Sequence, residues 1–249
     1  MNTASRKATF EGRGAIITGA SRGLGKALAL ELTRAGARVA MVARGQDELA
    51  QATAEIERVT GRRPAGIVAD IADKRSIHTI LGIAGESCGD IDLLVNNASS
   101  LGPVPMPILA DLACEDLEAV LATNLVGPFR LTKAVANSMT LRRRGTIVFV
   151  STDAAVNAYP TWGAYGASKA AADHVARTLA AELGDQNVRV FSVDPTEMDT
   201  AMHHAALPEA DRATLAQPEA IARLIVNMVE SADRANNGSR QIASEWRSQ

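Results

Sequence analysis

Short runs of apolar residues alternate along the chain with longer segments in which apolar positions recur with a helical period. This alternation is typical of β-α-β units, in which each helix crosses over a parallel sheet. The pattern therefore predicts an α/β fold, a doubly wound parallel sheet of about seven strands with helices on both faces. The predicted strands cover residues 14–18, 39–43, 65–69, 93–96, 146–152, 189–193 and 240–243.

Three glycines follow the first predicted strand, in the sequence Thr-Gly-Ala-Ser-Arg-Gly-Leu-Gly. Gly19 permits a tight turn, Gly23 lets a phosphate approach the backbone, and Gly25 lets the next helix pack close to the sheet. The N-terminus of that helix then faces a pyrophosphate. The strand before the glycines and the helix after them supply the context that a dinucleotide site requires.

Tyr165 and Lys169 are four residues apart in Tyr-Gly-Ala-Ser-Lys, so on a helix they share one face. A cation beside a phenol lowers the pKa of the phenol from about 10 toward working pH. The pair is therefore a candidate general acid. A Tyr and a Lys at this spacing also occur on solvated helix faces, and the rest of the chain has to decide between the two interpretations.

Composition narrows the class of protein. The chain has 249 residues, of which 47% are hydrophobic, and a formal net charge of -2. We expect one domain over residues 1–249 and no nucleic-acid partner. Cys88 and Cys114 have no paired spacing, and His203 and His204 lack a third ligand, so neither disulfide nor metal is predicted. No apolar run reaches membrane-spanning length, and a cytoplasmic protein without a membrane partner is expected.

The two motifs belong to a set that stands in a fixed order. After the glycines come Asp70, Asn96-Asn97-Ala98, Asn124, Tyr165 with Lys169, and Pro195 followed by Thr200. In this set the chain resembles, over nearly its whole length, the short-chain dehydrogenase/reductase family, in the NADP-preferring type with TGxxxGxG and YxxxK motifs. The resemblance implies a single Rossmann-type domain and hydride transfer between a nicotinamide cofactor and a carbonyl or alcohol.

The resemblance also implies catalytic roles. Tyr165 would give a proton to the carbonyl oxygen, Lys169 would hold the nicotinamide ribose and lower the pKa of the tyrosine, and Asn124 would position a water near Lys169. Thr152 stands thirteen residues before the tyrosine, where the family usually has serine, and it keeps the hydroxyl. Ser151 stays the alternative, because neighbouring side chains on a strand point to opposite faces.

Cofactor choice follows from charge at the end of the second strand. An acidic residue there would bind the ribose hydroxyl of NAD, whereas this chain has Arg44, and Arg22 lies in the glycine loop. Two guanidinium groups can bind a 2′-phosphate from both sides, so NADP(H) is favoured over NAD(H). The alternative is that both arginines are solvated surface charges. By resemblance, Asp70 would receive the adenine amino group, Asn97 would line the adenosine ribose, and Thr200 would meet the nicotinamide carboxamide. The expected cofactor-binding residues are Gly19, Ser21, Arg22, Gly23, Leu24, Gly25, Arg44, Asp70, Ile71, Asn97, Ala98, Tyr165, Lys169, Pro195 and Thr200.

Two positions depart from the family pattern near the nicotinamide half of the site. Ser99 stands where the Asn-Asn-Ala stretch normally ends in glycine, and Thr196 follows Pro195 where glycine is usual. Each adds a Cβ. The carboxyl end also lacks the Asp-Gly-Gly ending that is common in relatives, which limits the transfer of their subunit contacts to this chain.

Substrate-facing residues are expected in the loops after the fourth, fifth and sixth strands. The candidates are Leu101, Met106, Tyr159, Trp162, Met198 and Met202. Their apolar and aromatic character suggests a small hydrophobic or cyclic carbonyl or alcohol compound. The segment 199–217, which contains small residues, a proline and two histidines, is interpreted as a mobile lid over the substrate.

Two other functions remain open. Asn-Asn-Ala-Ser-Ser followed by two prolines resembles the corresponding stretch of pteridine reductases, which reduce a ring C=N bond. Those enzymes usually carry a carboxylate where this chain has Thr152, and Asp153 comes one residue late. The third hypothesis is a regulatory protein that binds NADPH without turnover.

The helix that bears Tyr165 and Lys169 also carries an apolar surface. Ala171, Val175, Leu179 and Leu183 form a stripe at a spacing of four, and Ala172, Ala176 and Ala180 lie beside it. The resemblance implies that this helix and the one that carries Asn124 pair with their copies in a second subunit. A homodimer or homotetramer is expected.

Overall fold

A seven-stranded parallel sheet forms the centre of the protein, in the order β3-β2-β1-β4-β5-β6-β7. The computed structural model describes residues 9–231 and 236–246. The chain moves outward from β1 in one direction as far as β3 and then returns to lay β4 on the other side of β1. Ligands of such sheets bind at the carboxyl edge, where the direction reverses. The strands are β1 (Gly14–Thr18), β2 (Arg38–Ala43), β3 (Ala65–Val68), β4 (Ile91–Asn96), β5 (Gly145–Val150), β6 (Val188–Asp194) and β7 (Arg240–Ile242).

Helices cover both faces of this sheet, which confirms the predicted α/β fold. They are α1 (Gly23–Arg34), α2 (Gln46–Thr60), α3 (Ser76–Cys88), α4 (Cys114–Leu121), α5 (Gly127–Arg142), α6 (Gly163–Leu183), α7 (Ala201–Ala206) and α8 (Pro218–Ser231). One apolar core lies between the sheet and helices α1, α2 and α8. The other lies between the sheet and helices α3, α5 and α6.

Each of the predicted strands coincides with an observed one, and the main difference lies at the end of β5. The prediction ran to residue 152, whereas β5 ends at Val150. Thr152 is instead the N-cap of a short 3₁₀ turn, Asp153–Ala155, and its side chain accepts a hydrogen bond from the backbone N–H of Ala154. Because the strand has already ended, the strict alternation of side chains does not govern Ser151 and Thr152.

The alanines of α6 belong to the core. Ala172, Ala176 and Ala180 are buried in the cluster beneath the sheet, whereas Val175 and Leu179 are partly buried beside them. Part of the predicted apolar surface is therefore used within the subunit. The association of subunits through α6 stays a prediction. Among the residues that the structure describes, no helix is both long and apolar enough to cross a bilayer.

Ala176→Leu tests how closely α6 packs on the sheet. Ala176 is 1% exposed, so the larger side chain would force its neighbours out of their packed positions. We expect the free energy of unfolding to fall by about 2 kcal/mol. Ala181→Leu is the matched control, because Ala181 is exposed on the same helix. Urea denaturation measures both, and equal effects would contradict the close packing of α6.

Candidate active site

A cavity of about 1210 Å³ opens at the carboxyl ends of β1, β4, β5 and β6. It runs from the glycine loop and the end of β2 at one side to Tyr165, Lys169 and Thr152 at the other. Of the predicted site residues, all line this cavity except Gly25 and Asn124. The structure thus brings together side chains from widely separated parts of the sequence.

The glycine loop is shaped by close backbone packing. Gly19 has a φ of +65°, and a Cβ there would lie 2.8 Å from the Cα of Ala98. A Cβ at Gly25 would overlap the carbonyl oxygen of Gly19. Only glycine permits this fold of the loop against the end of β4.

Asn97 and Thr18 hold the glycine loop in place. The Asn97 amide nitrogen donates to the carbonyl oxygens of Thr18, at 2.9 Å, and Gly19, at 3.1 Å. In return, the Thr18 hydroxyl accepts from the backbone N–H groups of Asn97 and Ala98, each at 3.0 Å. Asn97 also lines the cavity, so its side-chain amide holds the glycine loop at the wall of the site.

Charged groups gather where β2 and the glycine loop meet. Arg22 and Arg44 both line the cavity, together with Glu48 from the first turn of α2. The Glu48 carboxylate accepts from the Ser21 hydroxyl at 3.3 Å and lies 3.8 Å from the Arg22 guanidinium. Sequence reasoning missed Glu48, although its position four residues after Arg44 was a usable signal.

Asp70 and Ile71 follow β3 on the same side of the cavity. Both line it. One oxygen of the Asp70 carboxylate accepts from the backbone N–H of Ala72 at 2.9 Å, which fixes the turn after β3. Its other oxygen stays available to the cavity.

Tyr165 and Lys169 lie one turn apart on α6, and both are buried. Tyr165 is 8% exposed and Lys169 is 3% exposed. The Lys169 ammonium lies 5.6 Å from the centroid of the phenol ring and donates to the carbonyl oxygen of Val150 at 2.8 Å. The end of β5 therefore fixes the position of the lysine.

Burial governs the charge of this pair. It raises the pKa of Tyr165 to about 12, against the lowering effect of hydrogen bonds from Ser99 and Thr152. Burial also lowers the pKa of Lys169 to about 8, and the nearby Asp173 carboxylate partly opposes this. The prediction that Lys169 brings the pKa of the phenol below its ordinary value is wrong for the chain alone, because desolvation of the phenol outweighs its neighbours.

Thr152 and Ser151 face different partners. Both residues line the cavity, and the Thr152 hydroxyl donates to the Asp153 carboxylate at 3.2 Å. The Ser151 hydroxyl is 3% exposed and donates to the Asp173 carboxylate at 2.7 Å. Of the two hydroxyls, that of Thr152 is the one that lowers the pKa of Tyr165.

A buried ion network lies behind this site. Arg240 of β7 donates to the Asp194 carboxylate at 2.6 Å and to the carbonyl oxygen of Thr152 at 2.8 Å. Its Nε also lies 3.5 Å from the Asp173 carboxylate. Sequence reasoning missed this network, although Asp173 lies one helical turn after Lys169. The last strand is thereby tied to the loop that presents Thr152.

Asn124 lies on a turn of π-helix, Ala122–Val126, between α4 and α5. It is 3% exposed and hydrogen-bonds to Ser99, Ser100 and Ser168. A π-turn inserts one residue into a helix and is frequent at functional sites. Here it turns the Asn124 amide toward the loop after β4.

The segment after β6 begins with an unusual backbone conformation. Thr196 has a φ of +64°, a region that a β-branched residue rarely adopts and glycine adopts freely. The glycine that the family usually has here therefore matches the backbone. Pro195 and Thr200 line the cavity. The methyl group of Thr200 lies 3.5 Å from where a Cβ of Gly23 would stand, so this segment borders the glycine loop.

The predicted lid, residues 199–217, contains α7 and a short 3₁₀ turn, Arg212–Thr214. Asp199 accepts from His204 at 2.7 Å and from Arg212 at 2.9 Å, and the His204 hydrogen bond is the main reason why the pKa of Asp199 is lowered. Its mobility stays a prediction. Within residues 9–231 and 236–246, no three His, Cys, Asp or Glu side chains form a group that could hold a metal ion.

The predicted substrate-facing residues divide into two groups. Leu101, Tyr159, Trp162, Met198 and Met202 line the cavity. Met106 does not line it and packs instead against the small apolar cluster around Tyr165.

Asp153, which also lines the cavity, was not among the predicted site residues. Its carboxylate accepts from the Tyr159 hydroxyl at 2.7 Å.

The model of one known family matches this chain. Residues 13–211 match the model described as short chain dehydrogenase, and this range contains the glycine loop, Tyr165, Lys169 and Thr200. The chain belongs to the short-chain dehydrogenase family. Members of this family are oxidoreductases that use a nicotinamide cofactor.

Two curated relatives are similar over most of their length. The 2,3-dihydro-2,3-dihydroxybenzoate dehydrogenase of Bacillus subtilis is 35% identical over 193 residues, which cover 78% of this chain and 72% of the relative. The 7alpha-hydroxysteroid dehydrogenase of Escherichia coli is 33% identical over 207 residues, which cover 83% and 79% of the two chains. The family is shared, while the names of the substrates differ.

Solved structures share the whole fold. A short chain dehydrogenase from Shigella flexneri, in complex with NADP, is 26% identical and has a TM-score of 0.89, with 96% of this chain and 100% of that chain covered. One from Escherichia coli, in complex with NADPH, is 27% identical with a TM-score of 0.88, covering 96% and 99%.

Lys169→Met tests the buried ammonium of this short-chain dehydrogenase. Burial lowers the pKa of Lys169 from 10.5 to about 8, so between these values the unfolded chain holds a proton that the folded chain has lost. The stability of the wild type therefore rises with pH there, and that of the variant lacks this contribution. Between these two pKa values, we expect the unfolding free energy of the wild type minus that of the variant to rise by up to about 1.4 kcal/mol per pH unit.

Chemical denaturation at several pH values measures this difference. Lys133→Met is the control, since Lys133 is exposed on α5 and its removal should give a flat difference. A flat difference for Lys169→Met as well would contradict a depressed pKa of the lysine.

Proposed function

We propose that this chain is an NADPH-dependent oxidoreductase that transfers hydride between the nicotinamide and a carbonyl or alcohol substrate, with Tyr165 as the general acid and base. One observation carries the proposal. The Tyr165 phenol, the Lys169 ammonium and the Thr152 hydroxyl meet in the cavity whose other end is the glycine loop. Such a cavity, larger than the usual range for a small molecule alone, suits a dinucleotide with a substrate beside it.

The shape of the glycine loop supports a dinucleotide. The cradle lacks side chains where a Cβ at Gly19 or Gly25 would collide with backbone, and the N-terminus of α1 begins there, where a pyrophosphate is favoured. Asp70 would hold the adenine end, and Lys169 would hold the nicotinamide ribose. When bound, the nicotinamide supplies the hydride.

Charge at the adenosine end supports NADPH. Arg22 and Arg44 line the cavity there, and guanidinium groups are well suited to binding a phosphate. Arg22 would exchange its long contact with Glu48 for the 2′-phosphate. The NADP and NADPH complexes of the similar Shigella flexneri and Escherichia coli structures favour the same cofactor.

Proton transfer would take place at the Tyr165 hydroxyl. In the direction of reduction, the phenol gives its proton to the substrate oxygen as the carbonyl carbon receives hydride. Its raised pKa keeps the phenol protonated at neutral pH, which is the state a general acid needs. The Thr152 hydroxyl, beside the phenol, would donate a hydrogen bond to the same substrate oxygen.

We infer a small hydrophobic or cyclic substrate without negative charge. Leu101, Trp162 and Met202 form apolar parts of the wall. Asp153 and Glu197 add carboxylates to it, and these disfavour an anionic substrate because like charges repel. The carboxylate of Asp153, which accepts a hydrogen bond from the Thr152 hydroxyl, also favours a second candidate. This is reduction of a pterin ring, whose N–H groups could donate hydrogen bonds to Asp153.

Tyr165→Phe should abolish turnover, because the ring keeps its packing and only the acidic hydroxyl is lost. We expect kcat to fall about a thousandfold, with NADPH affinity little changed. NADPH absorbance is followed with cyclic ketones, β-ketoesters, quinones, aldehydes, charged aldoses and pterins.

Turnover of this panel of compounds distinguishes the proposed substrate class from the alternatives. Preferred turnover of aldose phosphates would contradict the inferred substrate class, and preferred turnover of pterins would favour the second candidate. Saturable NADPH binding without turnover of any compound would indicate a regulatory protein instead.

Arg44→Glu should weaken NADPH binding by about tenfold to a hundredfold, because it replaces a charge-assisted hydrogen bond with repulsion. NADH binding should be unchanged or stronger. Arg58→Glu on α2 is the matched control, since Arg58 is exposed and does not line the cavity. Fluorescence titration measures both cofactors, and equal loss for NADPH and NADH would argue against a 2′-phosphate clamp.

A further inference from the structure

The guanidinium group of Arg240 joins two loops at the carboxyl edge of the sheet. Its Nη2 atom donates to the Asp194 carboxylate at 2.6 Å and to the carbonyl oxygen of Thr152 at 2.8 Å. The side chains of Arg240 and Asp194 are 19% and 6% exposed, so little water competes for these charge-assisted hydrogen bonds. One nitrogen atom therefore fixes the residue that ends β6 relative to the loop that follows β5.

On the β5 side, Arg240 completes the hydrogen bonding of a carbonyl group. The Thr152 carbonyl oxygen also accepts from the backbone N–H of Ala155 at 3.2 Å. A carbonyl oxygen has two lone pairs, and these two donors use both. The first carbonyl of the 3₁₀ turn after β5 is thereby held in a fixed place.

The same turn packs directly against the helix that carries the phenol. A Cβ at Gly166, the residue after Tyr165, would stand 2.6 Å from the carbonyl oxygen of Ala154. Ala154 and Tyr165 also belong to one small apolar cluster. Only a residue without a side chain allows so close an approach. The position of the turn therefore decides where Thr152 lies relative to Tyr165.

On the β6 side, Arg240 orients a carboxylate that holds a strained turn. One oxygen of Asp194 accepts from Arg240, and the other accepts from the backbone N–H of Thr196 at 2.8 Å. Thr196 has a φ of +64°, a conformation that is unfavourable for a β-branched residue and persists only where neighbouring contacts enforce it. A rotation of the Asp194 carboxylate would remove one of those contacts.

The two loops border different parts of the proposed reaction. Thr152 would contact the substrate oxygen, whereas the segment from Pro195 to Thr200 would contact the nicotinamide. Both line the cavity together with Tyr165. Hydride transfer needs reacting atoms about 3–3.5 Å apart, and a displacement of about 1 Å can lower the rate about a hundredfold. The rate therefore depends on the distance between these loops.

We propose that Arg240 is a positioning residue for this reaction, and that its Nη2 atom sets the distance between the Thr152 loop and the segment that begins at Pro195. Arg240 does not line the cavity, so it acts through its two partners rather than on the substrate or the cofactor. The inference rests on the proposed function, because that function places the substrate oxygen at one loop and the nicotinamide at the other.

Arg240→Lys tests this role while it keeps the charge. The lysine ammonium ends one bond short of the position of Nη2, so both hydrogen bonds should lengthen. Asp194 still has a nearby cation, and so does Asp173, which lies 3.5 Å from the arginine Nε. We expect kcat of the folded variant to fall about tenfold. It is measured with saturating NADPH and the preferred compound of the panel, at a temperature where urea denaturation shows the variant to be folded.

Arg142→Lys is the matched control. Arg142, whose side chain is 24% exposed, donates to the Asp92 carboxylate at 2.7 Å and to the carbonyl oxygen of Ile91 at 2.6 Å. These contacts have the same pattern, but they lie at the start of β4 and Arg142 does not line the cavity. The control should lose a similar amount of stability and keep the kcat of the wild type.

A double-mutant cycle with Thr152→Ala separates positioning from a general defect. If Arg240 acts through Thr152, Arg240→Lys should lower kcat about threefold or less in the Thr152→Ala background, against about tenfold in the wild type. Additive losses would mean that the two residues act independently, which would overturn the proposal.

A second readout needs no substrate. Amide hydrogen exchange, followed by NMR, reports on the N–H groups of Ala155 and Thr196, which bond to the Thr152 carbonyl and to the Asp194 carboxylate. Both groups should exchange faster in Arg240→Lys than in the wild type, because their acceptors are held less firmly. Neither should change in the control variant.

The outcomes separate this inference from the proposed function. Wild-type kcat in Arg240→Lys, with Tyr165→Phe inactive, refutes the role of Arg240 and leaves the proposed function standing. A fall of kcat without faster exchange at Ala155 and Thr196, or an equal fall in Arg142→Lys, also refutes it, because a general loss of stability then explains the result. If Tyr165→Phe keeps its activity, the proposed function itself fails, while the exchange measurement still shows whether Arg240 holds the two loops.

Discussion

Lys169 brings an ammonium group into a site where it is 3% exposed, directly beside the buried Tyr165 phenol. Desolvation disfavours the charged form of both groups, so the structure around them has to supply compensating contacts. The carbonyl oxygen of Val150 and the Asp173 carboxylate serve the lysine. Much of the architecture at the carboxyl edge of the sheet can be understood as support for this pair.

Arg240 links these groups to β7, the strand at one edge of the sheet. It donates to the Asp194 carboxylate and to the carbonyl oxygen of Thr152 and lies close to Asp173, so β6, β7 and α6 are connected behind Tyr165 and Lys169. Buried ion pairs of this kind contribute little net stability, and breaking one is costly because the partner stays charged and unpaired. Their benefit here is a fixed position for Thr152 relative to Tyr165.

The order of strands and helices was predictable because each β-α-β unit has its own hydrophobic period. The glycine loop and the pair of Tyr165 and Lys169 were also readable, since both depend on local spacing. The end of β5 could not be predicted from spacing, because the strand stops where the Thr152 side chain caps the following turn. No periodic pattern in the sequence indicates contacts between distant residues, such as those of Ser99 with Asn124 and of Arg240 with Asp194. The pKa of Tyr165 was misjudged for a related reason, since burial depends on the whole fold.

The proposed function requires that hydride passes from bound NADPH to the carbonyl carbon of the substrate, with Tyr165 as the proton donor. NADPH that carries deuterium at the transferable position of C4, incubated with the preferred compound of the panel, tests it directly by mass spectrometry and NMR of the product. We predict deuterium on the former carbonyl carbon with the wild type and none with Tyr165→Phe. Product free of deuterium, or equal incorporation by the Tyr165→Phe variant, would contradict the claim.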